Sequence, residues 1–410
     1  MDLIYQLGVR LYAMAAALSA PFSEKSRLWY RGRKNVFRYL SENISYEHPL
    51  LWVHCASLGE FEQGRPLIEA IKKQYPQYRI LLTFFSPSGY EIRKNYAQAD
   101  YICYLPSDTR QHARKFIELV RPEKAFFIKY EYWKNYISEL KKQHIPLVIV
   151  SAIFRPGQLF FQKGCRAGWY RNILSQVDHF FVQNRESADL LAGIGLGNST
   201  VTGDTRFDRV AEIAANRKDL PLIEKFKGDS VLIVAGSSWP PDEEILARYL
   251  EKNKQVKMIF APHEVKESNI KRLLELLPEK AVCYSRAGED VDRFRILVID
   301  CIGVLSSVYR YAAIAYIGGG FGVGIHNTLE AAVYHIPVLF GPNYLKFQEA
   351  VELVNRRLGF PVRSESELAE QLDRLIKNGK LLKEIAEKCS IFMSENVGAT
   401  QLVIRKVFNN

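Results

Sequence analysis

Ile314-Ala315-Tyr316-Ile317 is an apolar run of strand length, and Gly318-Gly319-Gly320-Phe321-Gly322-Val323-Gly324 follows it directly. Ile325-His326-Asn327-Thr328-Leu329-Glu330 then opens a helical pattern that reads on to Tyr334. A fully apolar strand that turns through glycines into a helix is the unit from which parallel sheets covered on both faces are built. Outward from it, the same unit recurs at Val231–Val234, Val256–Phe260, Ala281–Cys283, Ile296–Ile299 and Pro337–Phe340. An earlier series runs through Leu51–His54, Ile80–Phe84, Ile102–Tyr104, Lys124–Ile128, Leu147–Val150 and His179–Val182. Helical stretches such as Gly64–Tyr75, Thr109–Val120 and Trp133–Gln143 separate these strands. The polar stretch Arg206 to Asp229 lies between the two series. The pattern predicts two Rossmann-like α/β domains joined by a linker near 206–229, with ligands at the carboxyl ends of the strands.

Composition agrees with two ordinary globular domains: the chain has 410 residues, of which 48% are hydrophobic and 25% charged. A single core rarely grows past about 250–300 residues. The difference of 56 basic and 45 acidic residues gives +11, which favours an anionic partner without choosing one. No RNA-binding aromatic signature or recognition-helix module is present, so nucleic acid is not expected. The six cysteines are scattered, with no Cys-x-x-Cys pair, and read as reduced core thiols rather than metal ligands or disulfides.

The first 38 residues differ in kind. Leu3-Ile4-Tyr5, Leu7-Gly8-Val9 and an uncharged run from Leu11 to Ser23 precede Arg27, Arg31, Arg33, Lys34 and Arg38, which are interleaved with Trp29 and Tyr30. Arg10 interrupts the run, which fits neither a clean spanning helix nor a secretory signal. An apolar helix followed by basic and interfacial aromatic residues suits the face of an anionic bilayer, whereas a buried first helix with a solvated basic tail is the plainer reading.

Three turns carry chemical signals. Ser57-Leu58-Gly59-Glu60 follows the first strand and places a carboxylate at a helix N-terminus, although Ser57-x-x-Glu60 is also the pattern of a capping box. Lys129-Tyr130-Glu131-Tyr132-Trp133 brings a second acid out of a strand end among aromatics. The glycine turn allows backbone N–H groups to approach an anion at the start of the following helix, and Glu330 is placed to accept hydrogen bonds from ribose hydroxyls. It contains neither Gly-x-Gly-x-x-Gly nor a P-loop, which lowers hydride transfer and P-loop hydrolysis in rank.

Taken together, Ser57-x-Gly59-Glu60, Glu131-x-Trp133, Thr202-Gly203-Asp204-Thr205-Arg206-Phe207-Asp208 and Gly318-Gly319 with Gly324-x-His326-Asn327-x-x-Glu330 resemble the bacterial 3-deoxy-D-manno-octulosonic acid (Kdo) transferase family, from the N-terminal segment to about Glu349. The resemblance implies a GT-B glycosyltransferase, its two Rossmann-like domains facing across a cleft and a membrane-contact segment at 1–38. The acceptor domain would span 39–210 and the donor domain 225–410, with the last helix free to cross back. It implies inverting, metal-independent transfer of Kdo from CMP-Kdo to a lipid A precursor at the cytoplasmic leaflet of the inner membrane, with no cofactor. Glu60 then matches the catalytic base and Glu131 a second acid, with Ser57, Gly59 and Arg206 on the acceptor side. Ser237, Ser238, His263, Gly319, Gly320, Gly322, Gly324, His326, Asn327 and Glu330 match the nucleotide side.

Three departures accompany it. Pro262-His263-Glu264 stands where many members carry Pro-Arg-His, so an arginine contact is missing or supplied elsewhere; Lys134 replaces the usual Pro; and Arg206 replaces a common Lys. Two further classes stay open: another GT-B enzyme such as a sugar-nucleotide epimerase, and a non-enzymatic protein that binds acidic lipid or nucleic acid.

Overall fold

Leu50–Cys55 (β1) is buried at every position, so both faces of its sheet are covered, as expected of a continuous apolar strand in a parallel sheet. β1 pairs in parallel with Arg79–Phe84 (β2) on one side and Lys124–Ile128 (β4) on the other. Tyr101–Tyr104 (β3), Leu147–Ala152 (β5), His179–Val182 (β6) and Ser199–Val201 (β7) complete a seven-stranded sheet of order β3-β2-β1-β4-β5-β6-β7. The second sheet is built alike. Leu232–Ser238 (β8), Lys257–Pro262 (β9), Val282–Cys283 (β10), Ile296–Val298 (β11), Ile314–Ile317 (β12), Val338–Phe340 (β13) and Gly359–Pro361 (β14) take the order β10-β11-β9-β8-β12-β13-β14. In each sheet the strand order reverses beside the first strand, between β1 and β4 and between β8 and β12. Such switch points are where open α/β sheets leave a crevice for ligands.

This computed structural model describes residues 1–322 and 324–409; Val323 of the glycine turn and Asn410 lie outside the described residues. The chain forms two compact units, Met1–Arg209 with Asn396–Asn410, and Val210–Glu395. The stretch 206–229 is not an open linker: it holds the helices Arg206–Ala215 and Pro221–Lys227, the second burying Ile223 and Phe226. The closing helix Ala399–Phe408 crosses back to the first unit. Val403 and Ile404 join the core formed with β1, β2 and Leu58–Gln74 (α4). Asp208 fastens that return, accepting hydrogen bonds from the backbone N–H groups of Gly398 and Thr400 and from the Thr400 hydroxyl.

The residues read as a separate membrane segment are also part of the first unit. Asp2–Ser19 (α1) is fixed at its start: Asp2 accepts from Lys134, Trp169 and Arg110, Tyr5 donates to Asp108, and Gln6 donates to Asn135. The Lys134 and Trp169 hydrogen bonds hold the Asp2 carboxyl down to about 2. In Glu24–Arg33 (α2), Trp29 is buried rather than interfacial. Arg33 stacks over Trp29, with its guanidinium carbon 3.9 Å from the ring centroid, and donates to the carbonyls of Trp29, Phe85 and Leu105. It pins α2 to the strand ends instead of meeting a bilayer, and burial lowers its pKa to about 9. What remains outward on α1 is mostly apolar, with Leu3, Ile4, Leu7, Leu11, Met14 and Leu18 all exposed beside the exposed Arg10. No single helix among the described residues is long and apolar enough to cross a membrane. Of the cysteines, Cys55, Cys103, Cys283 and Cys389 are buried as expected, whereas Cys165 is exposed and Cys301 half-buried.

Candidate active site

Glu60 lies in the first turn of α4, directly after β1. Ser57 caps that helix by accepting the backbone N–H of Gly59 at 3.2 Å, and its hydroxyl donates to Glu60 Oε2. The reciprocal capping box is therefore not what forms: the Glu60 carboxylate takes the serine hydroxyl. One of its oxygens is held, and the side chain is half-buried. Gly64, one turn on, sets how closely α4 meets the sheet, since a Cβ there would stand 2.9 Å from Cys55 Sγ and 3.1 Å from Ile128 Cγ1.

Glu131 leaves the end of β4 and is buried at 9% exposure. Trp133 Nε1 donates to its Oε2 at 2.6 Å, and His54 Nε2 of β1 stands 3.3 Å from the same oxygen. Burial pushes the Cys55 thiol well up, and the charges of Glu60 and Glu131 add to the effect. Tyr130, raised first by burial, senses Glu60, Arg155 and Arg206 together. Arg206 grips the buried Asp204, which also accepts from Gln63 at 3.0 Å. Much of the Thr202–Asp208 motif is consequently scaffold.

Beside Trp133 opens a cavity of about 400 Å³ lined by Tyr5, Val9, Tyr12, Trp29, Phe85 and Asp108 among others. The acid is already satisfied by the Tyr5 hydroxyl and the backbone N–H groups of Asn135 and Tyr136, and burial raises its pKa. With that acid internally paired, the walls are overwhelmingly apolar.

In the second unit, the ends of β8, β9 and β12 converge on an aromatic stack. Trp239 stacks on His263 with ring centroids 4.9 Å apart, and His263 on His326 at 4.3 Å. Trp239 Nε1 donates to His326 Nε2 at 3.0 Å, and burial holds that imidazole down to about 4, hence neutral at pH 7. Sequence alone does not single out Trp239. Nor does it single out Asp242, which is fully buried and accepts from Tyr316 Oη, the Trp239 N–H and the Gly319 N–H.

The glycine turn is partly closed on itself. The Gly319 N–H is taken by Asp242, while Gly322 and Gly324 both donate to the Gly319 carbonyl. Gly318 and Gly320 are small because backbone lies against them: a Cβ on Gly318 would meet the Ser237 carbonyl oxygen at 2.3 Å, and one on Gly320 the Gly341 nitrogen at 2.5 Å. The following helix is one turn, Leu329–Ala332, not a helix running to Tyr334, so the dipole available to an anion is weaker than expected. Asn327 donates to Glu330 at 3.1 Å and accepts the Leu329 N–H. Ser237 sits at the end of β8 with φ of 51°. Ser238 is buried and donates its hydroxyl to Glu243, so it does not offer that proton to a ligand.

Residues 27–209 match the family model described as 3-deoxy-D-manno-octulosonic-acid transferase (kdotransferase). Proteins named 3-deoxy-D-manno-octulosonic acid transferase match across both units. The one from Aquifex aeolicus is 28% identical over 343 residues, 81% of this chain and 88% of its own. The one from Chlamydia trachomatis is 26% identical over 376 residues, 87% and 85% respectively. Over both comparisons the chain is similar to the Kdo transferase family. Solved structures give the fold independently: a UDP-GlcNAc 2-epimerase from Neisseria meningitidis superimposes with a TM-score of 0.61 at 15% identity, covering 88% of this chain and 100% of that one. A second, from Methanocaldococcus jannaschii, gives 0.53 at 15% identity, covering 80% and 93%. The chain thus has the GT-B fold, with Glu60 and Glu131 at the β1/β4 switch point and His263, His326 and the glycine turn around β8, β9 and β12. Among its described residues, no group of three or more His, Cys, Asp or Glu side chains is placed to hold a metal ion.

Proposed function

We propose that this chain is a Kdo transferase that moves Kdo from CMP-Kdo to a lipid A precursor at the cytoplasmic face of the inner membrane, inverting the anomeric centre without a metal or cofactor. The observation that carries the reading is the pair Glu60 and Glu131 at the reversal of the first sheet, with Glu60 held through only one oxygen. A sugar hydroxyl attacks slowly unless its proton leaves as the bond forms, and a carboxylate within hydrogen-bond reach accepts it. Glu60 is the base in this scheme; Glu131 orients acceptor or donor. Charge growing on the departing CMP phosphate would be met by the glycine turn and the groups beside it, while Glu330 receives the ribose hydroxyls. The neutral imidazole of His326, in a stack with Trp239 and His263, suits a cytosine face better than a phosphate.

A lipid acceptor is supported by the apolar outer row of α1 and by the apolar cavity that shares Trp133 with the Glu131 site. The test is incubation with CMP-Kdo generated in situ and a lipid A precursor, followed by mass analysis of the lipid. A mass increase by whole Kdo units is expected. An unchanged lipid, with turnover of UDP-sugars instead, would move the chain to another GT-B activity.

A further inference from the structure

The apolar cavity beside Trp133 lies wholly within the first unit. Four of its lining residues, Tyr5, Gly8, Val9 and Tyr12, form one stripe of α1, at the i, i+3, i+4 and i+7 spacing of a helix face. From there an aromatic wall runs inward. Ring centroids stand 5.4 Å apart for Tyr12 and Trp29, 5.8 Å for Trp29 and Phe85, and 4.7 Å for Phe85 and Trp133. The wall ends on the indole whose Nε1 donates to Glu131 Oε2 at 2.6 Å. Asp108 spends its charge on the Tyr5 hydroxyl and two backbone N–H groups. A space of about 400 Å³ is thus bounded by side chains that offer an occupant little besides apolar contact.

Its outer end is open. Gly8 and Tyr12 line the cavity and are nonetheless exposed, which puts the opening on α1. They lie one residue round the helix from Leu7 and Leu11 of its exposed apolar row. Nothing local requires glycine at position 8: the backbone is helical, a Cβ would meet no atom within 4 Å, and glycine inside a helix is destabilising against alanine. What the missing side chain preserves is the width of the opening. An alkyl chain can therefore pass from the outer row of α1 into the cavity without crossing water. Lipid tails are as apolar as such a wall, so the passage changes the free energy little, and what the cavity adds is a fixed position.

We propose that this cavity seats one acyl chain of the lipid acceptor, entering past Gly8 and Tyr12, so that the sugar bearing that chain is held at Glu131. The proposal rests on the lipid-acceptor reading given above and deepens it: the chain is recognised as a positioning element, and the substrate class is an acylated sugar rather than any sugar hydroxyl at a membrane.

Seating is tested without turnover, on the full chain, with monomeric alkyl glucosides that carry bromine at the chain end, because bromine quenches an indole it touches. Saturable quenching is expected, reduced in Trp29→Phe. Affinity should rise about fourfold per added methylene, the equivalent of about 0.8 kcal/mol, and level off once the chain fills the cavity. Gly8→Leu, which puts a better helix former at the opening, should abolish the quenching and keep the melting temperature, while Gly8→Ala keeps both. Quenching indifferent to Gly8→Leu, or affinity that climbs without a plateau, would mark adsorption on the outer row and overturn the proposal. Should Gly8→Leu not fold, Ser107→Leu on the cavity wall takes its place, with the same expectations. In the functional arm, Gly8→Leu is expected to lower kcat/KM for the acylated acceptor by about 10²-fold, the scale of a small misplacement of a reacting group, at unchanged donor KM. Wild-type enzyme that uses the same sugar without its chains equally well, or a Gly8→Leu enzyme that transfers at the normal rate, contradicts it. A wild-type enzyme that transfers no Kdo would defeat the proposed function alone, because the quenching still decides what the cavity holds.

Discussion

Glutamine at position 60 keeps an oxygen for the Ser57 hydroxyl but removes the group that takes up a proton. Glu60→Gln is therefore expected to fold and to bind CMP normally, since the residues assigned to the nucleotide lie in the other unit. Kdo transfer should fall by about 10²–10⁴-fold, the usual contribution of a general base. Single-turnover transfer measured beside CMP titration checks this; near-normal transfer would pass the role to Glu131. Ser57→Ala, which removes the helix cap as well as the proton donated to Glu60, should cost about 1 kcal/mol of stability. Glu330→Ala should raise the donor KM more than it lowers kcat, by the equivalent of about 1.5–3 kcal/mol for lost hydrogen bonds to a charged acceptor. A drop in melting temperature with donor KM unchanged would leave Glu330 as no more than the partner of Asn327. His326 supplies a pH dependence whose sign follows from burial. Its imidazole is held down to about 4 from the ordinary 6.5, so the unfolded chain takes up a proton at a higher pH than the folded one. The stability it contributes is complete above pH 6.5 and is lost as pH falls from 6.5 towards 4. His326→Gln should flatten that decline in thermal melts; His179 shifts in the same direction in the first unit, so the reading is the difference between variant and wild type.

At the scale of elements, α1 does two separable things. Its outward leucines stand exposed, so Leu7→Glu with Leu11→Glu and Leu18→Glu should release the protein from membranes while changing stability by little more than the few tenths of a kcal/mol typical of surface sites. Membrane partition that persists in this triple variant would refute the anchor. Its inward face borders the apolar cavity, where a Cβ on Gly8 would meet only open space. Gly8→Trp should fill the cavity, raising the KM of the acylated acceptor without changing that of CMP-Kdo. The same helix shows where sequence reading stops. Apolar strands such as Leu51–His54 and Lys124–Ile128 are legible because burial on both faces leaves few polar positions to confuse them. The two strands that escape notice, β7 and β14, are edges, short and carrying Ser199, Thr200, Gly359 and Pro361, as unpaired sheet margins commonly do. Arg33 and Trp29 look like membrane anchors in sequence because nothing local reveals that Phe85 and Leu105, far along the chain, will supply their partners. Glu60, Glu131 and the glycine turn are visible because they follow apolar strands. His54 is not, although a lone polar residue inside a wholly buried strand is the available signal, and Asp242 and Trp239 emerge only once β8 and β12 are side by side.

For the whole molecule, the decisive path is that the chain leaves the first unit at Arg209 and re-enters it at Asn396. Burying Val403 and Ile404 contributes about 1.5–3 kcal/mol for each side chain. Asp208→Asn, which weakens the clasp on Gly398 and Thr400, should lower the melting transition of the first unit and leave that of the second in place, a difference that differential scanning calorimetry resolves. A single concerted loss in both units would contradict it. The order of events during synthesis follows from the same path. Proteins are made from the N-terminus at about 5–20 residues per second, and domains generally close in that order. Here the unit begun first needs residues 399–408 to close its core, whereas Val210–Glu395 is one uninterrupted stretch. On the ribosome the later unit can finish while the earlier one still waits, its groove beneath α4 open, for a helix not yet translated.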